Sequence, residues 1–164
     1  MKKFSRFSLL AAVVATLSTL SVSAIAATAT GTANANVLTP IAITAGAALN
    51  FGTFAGNAGT GGTVVVTTAG TRTATGSVVL ATGAPAAGIF TVTGSTGATF
   101  GVTYPAAFTV TNGTVTMPVT VSGATIGTVA AGGTTLAVGG TITVAANQAS
   151  GAYTGSYVMT VEYN

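Results

Sequence analysis

The stretch "AFTVTNGTVTMPVTVSG", residues 107–123, contains two runs in which apolar and polar side chains alternate. A period of two is typical of a strand that buries one face of a sheet. Between the runs stands Asn112-Gly113, a pair that supplies the positive φ angles of a two-residue hairpin turn. The stretch therefore predicts a β-hairpin. Because Pro118 cannot donate to a strand ladder, we expect the second strand to lie at a sheet edge or to carry a bulge.

The same pattern continues along the chain beyond residue 37. Short β-branched and aromatic runs are separated by Gly, Asn and Pro, and no helical periodicity is long enough to predict a helix. The candidate strands cover residues 37–44, 48–54, 62–68, 72–82, 88–94, 98–105, 107–112, 113–123, 134–144 and 152–163. Many short strands at this spacing favour an all-β sandwich or barrel over an α/β fold.

The first 26 residues have the three parts of a secretory signal peptide. The cations Lys2, Lys3 and Arg6 precede an apolar run over residues 9–20, and a small-x-small cleavage site follows at residues 24–26. The apolar run is shorter than the ~20 residues that a membrane-spanning helix needs. We therefore expect secretion, with cleavage after residue 26.

The predicted mature chain is almost uncharged. It keeps Arg72 and Glu162 and contains no His, Cys, Lys or Asp. Acid–base catalysis, a metal site and phosphate binding all need groups that this chain lacks. We therefore expect no enzymatic activity, no cofactor, no metal, no nucleic acid and no small-molecule substrate. Arg72 is expected to be a solvated residue at a strand end, and a salt bridge to Glu162 is the alternative.

The segment "ATATGTANANV" at residues 27–37 is a second alternating stretch, at the start of the predicted mature chain. Its even positions are polar. Its odd positions are small apolar residues or glycine: Ala27, Ala29, Gly31, Ala33, Ala35 and Val37. A strand with two such faces and no neighbour in sequence needs a partner from elsewhere. The alternatives are a linker or a strand inside the domain.

The carboxyl-terminal segment "NQASGAYTGSYVMTVEYN" places large apolar residues at every second position. Tyr157, Met159, Val161 and Tyr163 share one predicted face, and Val158, Thr160 and Glu162 share the other. The first face must be covered by other parts of the protein.

These features resemble subunits of bacterial chaperone–usher fimbriae and the related spore-coat-U-like secreted proteins. The shared features are the penultimate aromatic residue Tyr163, the alternating hydrophobic residues before it, and Gly151. More closely still, "TPIAIT…LNFGTFAG…GTVVV…RTATGSVVL…FTVTG…NQASGAYTGSYVMTVEY" is similar to domain-of-unknown-function family 4402, secreted bacterial β proteins often grouped with fimbrial subunits. The similarity covers most of residues 37–163.

The resemblance implies an immunoglobulin-like β-sandwich that lacks its last strand and is completed by a donor strand from another subunit. The domains are then a signal peptide (1–26), an amino-terminal extension (27–36) and a pilin-like β-sandwich (37–164). The donor residues are those at the odd positions from Ala27 to Val37. The residues of the acceptor or assembly strand are Gly151, Tyr157, Met159, Val161 and Tyr163.

Small donor side chains depart from the pattern of fimbrial subunits, whose donors usually carry larger apolar residues. Four alanines and a valine contribute about 5 kcal/mol at roughly 0.8 kcal/mol per buried methyl or methylene. Either the backbone ladder compensates, or the donor extends to Leu38, Ile41 and Ile43.

By this resemblance the protein is a structural subunit of an extracellular fimbria on the bacterial surface, exported through the periplasm. Its partners are other copies of itself, and the resemblance also allows a periplasmic chaperone and an outer-membrane usher. Two other interpretations stay open. One is a secreted monomeric binding module of the adhesin kind, and the other is an outer-membrane protein built of transmembrane strands.

Overall fold

The structure, a computed structural model, describes residues 25–164. The predicted signal peptide lies outside the described residues except for Ile25 and Ala26. Residues 36–164 form one compact unit. Residues 25–40 belong to no strand and are exposed throughout.

The described part of the chain is all-β, as the alternation predicted, and its strands pair antiparallel. The twelve strands are β1 (Ala42–Ala45), β2 (Phe54–Ala55), β3 (Gly62–Val66), β4 (Arg72–Gly76), β5 (Val79–Leu80), β6 (Gly88–Thr93), β7 (Thr99–Thr103), β8 (Phe108–Asn112), β9 (Val115–Gly123), β10 (Ile126–Thr128), β11 (Thr134–Val144) and β12 (Thr160–Tyr163).

The long strand β11 organises a seven-stranded sheet of β1, β6, β11, β3, β4, β9 and β8. Residues 140–142 pair with β3 and with β9 at once, so those two strands lie on opposite edges of β11. Val138 pairs with β6 and with β9, so β6 shares an edge with β3. That edge changes partner at Gly139, where a Cβ would lie 2.6 Å from the Val66 carbonyl oxygen. Glycine is required there because β6 ends and β3 begins to pair along this edge of β11, which leaves no room for a side chain.

Two smaller sheets complete the fold. In the three-stranded sheet β7 lies between β10 and β12, and β2 pairs with β5 in the two-stranded sheet. Strand β1 pairs with β6 from Ala42↔Thr93 to Ala45↔Phe90.

Two apolar clusters form the core, and each is built from the inward positions of several strands. The first cluster, residues 92, 100, 102, 129, 136, 138 and 159, lies where the three-stranded sheet meets β6 and β11. The second, residues 64, 78, 117, 119, 142 and 144, lies under β3, β9 and the second half of β11. Since β11 contributes to both clusters, it connects the two halves of the domain.

The predicted hairpin is confirmed, with its turn shifted by one residue. β8 and β9 pair from Phe108↔Val119 to Asn112↔Val115, which leaves Gly113 and Thr114 in the turn. Gly113 has φ = 66°, and glycine at the first turn position is typical of a type II′ turn. Pro118 lies in the part of β9 that pairs with β8 alone, because pairing with β11 begins at Val119. The expectation of an edge position for this proline is therefore met.

Other strand boundaries differ from the predictions. The predicted strand over residues 37–44 begins only at Ala42, and of residues 152–163 only Thr160–Tyr163 form a strand. The segment 72–82 breaks into β4 and β5 because Gly76, at φ = 68°, turns the chain. Strand β10 was not predicted.

Candidate functional site

The surface contains a groove of about 900 Å³. Its first wall is residues 48–56 and its second wall is residues 148–157, although not every residue of the second wall lines it. Its floor is formed by apolar side chains from three strands: Phe108 and Val110 of β8, Met117 of β9, and Ile142 and Val144 of β11. The floor residues belong to the second core cluster or pack against it, so the groove gives access to the core.

Each wall forms backbone hydrogen bonds with a neighbouring segment. In the first wall, Asn50 and Ala86 exchange two backbone hydrogen bonds of 2.9 Å, and β2 pairs with β5. In the second wall, Thr154 and Thr111 exchange bonds of 2.8 and 3.0 Å. Ala86 and Thr111 both lie outside the groove lining. The backbone partners of the two walls therefore lie outside the groove lining.

Five aromatic residues line the groove, and one of them, Tyr157, contacts two phenylalanine rings. Phe108 and Tyr157 stack with centroids 5.0 Å apart, and Phe90 meets the same tyrosine edge-on at 5.9 Å. Burial raises the pKa of the Tyr157 phenol, and the charge of the Tyr104 phenolate would raise it further. Desolvation also raises the pKa of Tyr104.

The polar groups of the second wall satisfy one another, and none of the residues lining the groove is charged. Gln148 Nε2 donates to the Tyr153 hydroxyl at 2.9 Å, and that hydroxyl donates to the Ala149 carbonyl oxygen at 2.7 Å. These bonds hold the Tyr153 ring in place. The groove therefore presents an apolar, uncharged interior.

Arg72 supports the first wall, which corrects the expectation that it would be solvated or paired with Glu162. It is half-buried. Its guanidinium donates to three backbone carbonyl oxygens, those of Phe51 at 2.9 Å, Thr53 at 3.0 Å and Ala81 at 2.7 Å. Between the first two carbonyls, Gly52 has φ = 69°, and a Cβ there would collide with the guanidinium. The arginine therefore joins β4 to the first wall and to the segment after β5.

The predicted donor residues, from Ala27 to Val37, are all exposed and lie in no strand. The larger residues that could have extended the donor are placed differently. Ile41 and Ile43 pack against the first core cluster. Ile43, in β1, pairs with Val92 of β6. These two isoleucines are part of the folded domain, whereas Leu38 is exposed.

The predicted acceptor residues fall into two groups. Gly151 and Tyr157 line the groove, whereas Met159, Val161 and Tyr163 do not; these three, like Tyr157, belong to or pack against the first core cluster. The alternation itself is confirmed, because Val158, Thr160 and Glu162 are exposed. Strand β12 pairs with β7, so Val161 and Tyr163 lie in the three-stranded sheet.

Gly151 occupies a position that only glycine fits. Its φ is 142°, and a Cβ would collide with the amide of Asn112. That amide donates to the Ser150 carbonyl oxygen at 3.2 Å. The bond attaches the second wall to the end of β8.

The residues that the sequence did not identify are those of the first wall, above all Phe51 and Phe54. They stand in "ALNFGTF", which has the pattern of an ordinary strand. Nothing in that pattern shows that its other side has no partner strand.

Residues 41–163 match the family described as "Domain of unknown function (DUF4402)". The chain belongs to the DUF4402 family. The match covers every strand and both walls of the groove. No curated protein and no solved structure matches this DUF4402 chain.

Within residues 25–164 of this DUF4402 chain, no three side chains of His, Cys, Asp or Glu come together in a group that could hold a metal ion. The same residues contain no helix with the length and hydrophobicity needed to cross a membrane.

Proposed function

We propose that this protein is a structural subunit of an extracellular fimbria or surface fibre, in which residues 27–37 of one copy fill the groove of the next. In this arrangement the domain is an incomplete immunoglobulin-like sandwich, and the incoming segment is its missing strand. The observation that carries the proposal is the largely apolar groove between two walls whose backbone partners lie outside the groove lining.

A strand that enters this groove would gain hydrogen bonds and bury apolar surface. Exposed strand edges carry unpaired N–H and C=O groups that act as templates for a further strand. In recognition by strand addition, the main-chain bonds provide affinity and alternate side chains fill pockets. The floor residues Phe108, Val110 and Ile142 would be covered by the apolar side of the strand.

The lengths of the donor and of the groove agree. Residues 27–37 reach about 36 Å when extended at about 3.3 Å per residue. The two walls are nine and ten residues long, so at the same rise they span at most about 30–33 Å. One donor segment can therefore run along the whole groove.

The small side chains of the donor suit a groove already occupied by aromatic rings. An extended segment that presents Ala29, Gly31 and Ala33 to the floor can bring its backbone close to Tyr153 and Tyr157. The side chains of residues 27–37 carry no charge, and neither do the side chains that line the groove, so no charged side chain is desolvated on association. Affinity then comes mainly from the backbone ladder.

The cellular setting follows from the predicted signal peptide and the near-absence of charge. Secretion would deliver the chain through the periplasm to the cell surface. A mature surface with one cation and one anion lacks the net charge that keeps proteins apart. Other copies of the chain are the partners, and a periplasmic chaperone and an outer-membrane usher would protect the groove until the donor arrives.

The test compares the mature chain, residues 27–164, with a variant that lacks residues 27–37. Electron microscopy and SDS gels of unboiled and boiled samples report fibres and heat-labile multimers. We expect fibres and a ladder of multimers from the mature chain and monomers from the deletion variant. Equal polymerisation of both would refute the donor role of residues 27–37.

A second candidate function is a secreted, monomeric, adhesin-like binding module. The observation that favours it is the combination of Tyr153 and Tyr157 with Gln148 in one groove, since glycan sites combine aromatic platforms with polar groups. Glycan-array binding by a monomeric form would support this function. Binding that Tyr153→Ala leaves unchanged would exclude the groove as the glycan site.

A further inference from the structure

We propose that Tyr163 is a positioning residue that anchors the chain at Thr39 and thereby directs the amino-terminal extension to a second copy instead of to its own groove. The proposal rests on the proposed function for its assembly step. The anchor itself is a property of the folded domain.

The hydrogen bonds around Thr39 define the anchor. The Tyr163 hydroxyl donates to the Thr39 carbonyl oxygen at 2.7 Å and accepts from the Ser95 backbone N–H at 2.7 Å. The Thr39 backbone N–H donates to Ser95 Oγ at 2.7 Å. Both backbone polar groups of Thr39 are therefore held, by residues that follow it by more than fifty positions.

The close approach of the phenol depends on Gly94. A Cβ at this position would collide with the Tyr163 hydroxyl, and it would also lie 3.5 Å from the Ile41 Cα. The loop after β6 therefore leaves room both for the Tyr163 ring and for the backbone of the same chain at Ile41.

The anchor marks the boundary between exposed and packed chain. Val37 is 91% exposed and Leu38 is 42% exposed, whereas Ile41 packs against the first core cluster and β1 begins at Ala42. Thr39 is thus held three positions before the first strand. The extension that can reach a partner ends at Leu38.

The position of the anchor limits what the extension can reach. Tyr157 lines the groove, and the six residue steps from it to Tyr163 correspond to at most roughly 20 Å of extended chain. Residues 27–38 span about 40 Å when extended, so about half of that length would be used before the chain reached its own groove. The extension of a second copy has no such restriction and can pair along the full groove.

Releasing Thr39 would lengthen the reach. Thr39 and Pro40 would join the extension and add about 7 Å. A chain with a released anchor can place more of residues 27–37 in its own groove and close on itself as a monomer.

The test uses Tyr163→Phe in the mature chain, since phenylalanine keeps the ring and removes both hydrogen bonds. Tyr104→Phe is the matched control, because its hydroxyl also donates to a backbone carbonyl oxygen, that of Ala124 at 2.8 Å. Ser95→Ala is the second variant, and it removes the acceptor of the Thr39 N–H without changing the ring.

The first measurement is hydrogen–deuterium exchange over residues 38–41 in freshly refolded, dilute protein. We expect exchange about tenfold faster in Tyr163→Phe and in Ser95→Ala, as expected for the loss of one or two hydrogen bonds. The Tyr104→Phe control should exchange like the unmodified chain. Unchanged exchange in both anchor variants would overturn the anchor.

The second measurement is the ratio of monomer to multimer on unboiled gels. We expect Tyr163→Phe to shift the mixture toward monomer and Tyr104→Phe to leave it unchanged. Faster exchange with an unchanged ratio would overturn the directing role of Tyr163. If the unmodified chain formed no multimers, both the proposed function and this directing role would be refuted, whereas the exchange data would still decide the anchor.

Discussion

The guanidinium of Arg72 lies 2.9 Å from the carbonyl oxygen of Phe51 and donates a hydrogen bond to it. Through this bond the one cation of the predicted mature chain fixes the first wall of the groove. An arginine can serve several carbonyls at once because its N–H donors are arranged in a planar fork. The charge of Arg72 therefore serves the geometry of the groove.

Replacing Arg72 with methionine should destabilise the domain. The substitution keeps the apolar part of the side chain but leaves three carbonyl oxygens without this donor. We expect the free energy of unfolding to fall by about 2–4 kcal/mol, as hydrogen bonds to charged groups contribute roughly 1.5–3 kcal/mol each and the site is partly exposed. Urea denaturation measures this change. The free energy of unfolding of Arg72→Lys should lie between those of the unmodified chain and the methionine variant. Equal stability of all three proteins would contradict the role of the guanidinium.

Stability should decrease at alkaline pH because of Tyr157. Burial raises the pKa of its phenol above 10.0 in the folded protein, so the unfolded chain loses this proton first as the pH rises. The stabilisation is complete below pH 10.0 and is lost as the pH rises through the higher pKa of the folded state.

Thermal unfolding between pH 9 and 12 tests this dependence. We expect Tyr157→Phe to reduce the fall in Tm over that interval, and a further reduction when Tyr104→Phe is added, since the pKa of Tyr104 is raised too. A fall in Tm that neither substitution changes would contradict the assignment.

Gly139→Ala should destabilise the fold, because a Cβ at this position lies 2.6 Å from the Val66 carbonyl oxygen. The edge of β11 changes partner there, and backbone cannot move aside as easily as a side chain. We expect a loss of about 1–3 kcal/mol, as for overpacked cores. Gly59→Ala is the control, because its Cβ would meet only Asn57 Oδ1 at 3.6 Å. Denaturation curves that coincide for the two variants would contradict the partner change at Gly139.

A charge placed in the groove should block assembly without unfolding the domain. Ala152 lines the groove and is exposed, so Ala152→Lys adds an ammonium group that an incoming strand would bury without a partner. We expect stability within about 0.5 kcal/mol of the unmodified chain and a strong reduction in multimers on unboiled gels. Ala131→Lys, at an exposed turn position outside the groove, should assemble normally. Equal assembly of both variants would exclude the groove as the acceptor.

The local features of the fold were predictable, because they depend on neighbouring residues. The hairpin of β8 and β9 follows from alternation and a glycine turn, and its one-residue shift arises because Gly113 takes the first turn position. The burial of Tyr157, Met159, Val161 and Tyr163 follows from the same period of two. The short strand β10 was missed because "TIGTV" carries little alternation.

The candidate site was only half predictable. Gly151 and Tyr157 were named from the carboxyl-terminal pattern, but the opposite wall lies about a hundred positions earlier in the chain. Arg72 had the appearance of an isolated strand-end cation. Its three acceptors belong to segments that meet only when β2 pairs with β5 and β3 pairs with β4.

The sequence by itself determined the all-β class, the hairpin of β8 and β9, the inward face of the carboxyl-terminal segment and the near-absence of charge, since side-chain alternation and turn chemistry act over a few residues. The tertiary structure decided that β11 changes partners at Gly139, that residues 48–56 face residues 148–157 across a groove, and that Tyr163 holds Thr39. The physical reason is that backbone hydrogen bonds do not depend on side-chain identity. The choice among possible strand partners is therefore made by the packing of the whole core.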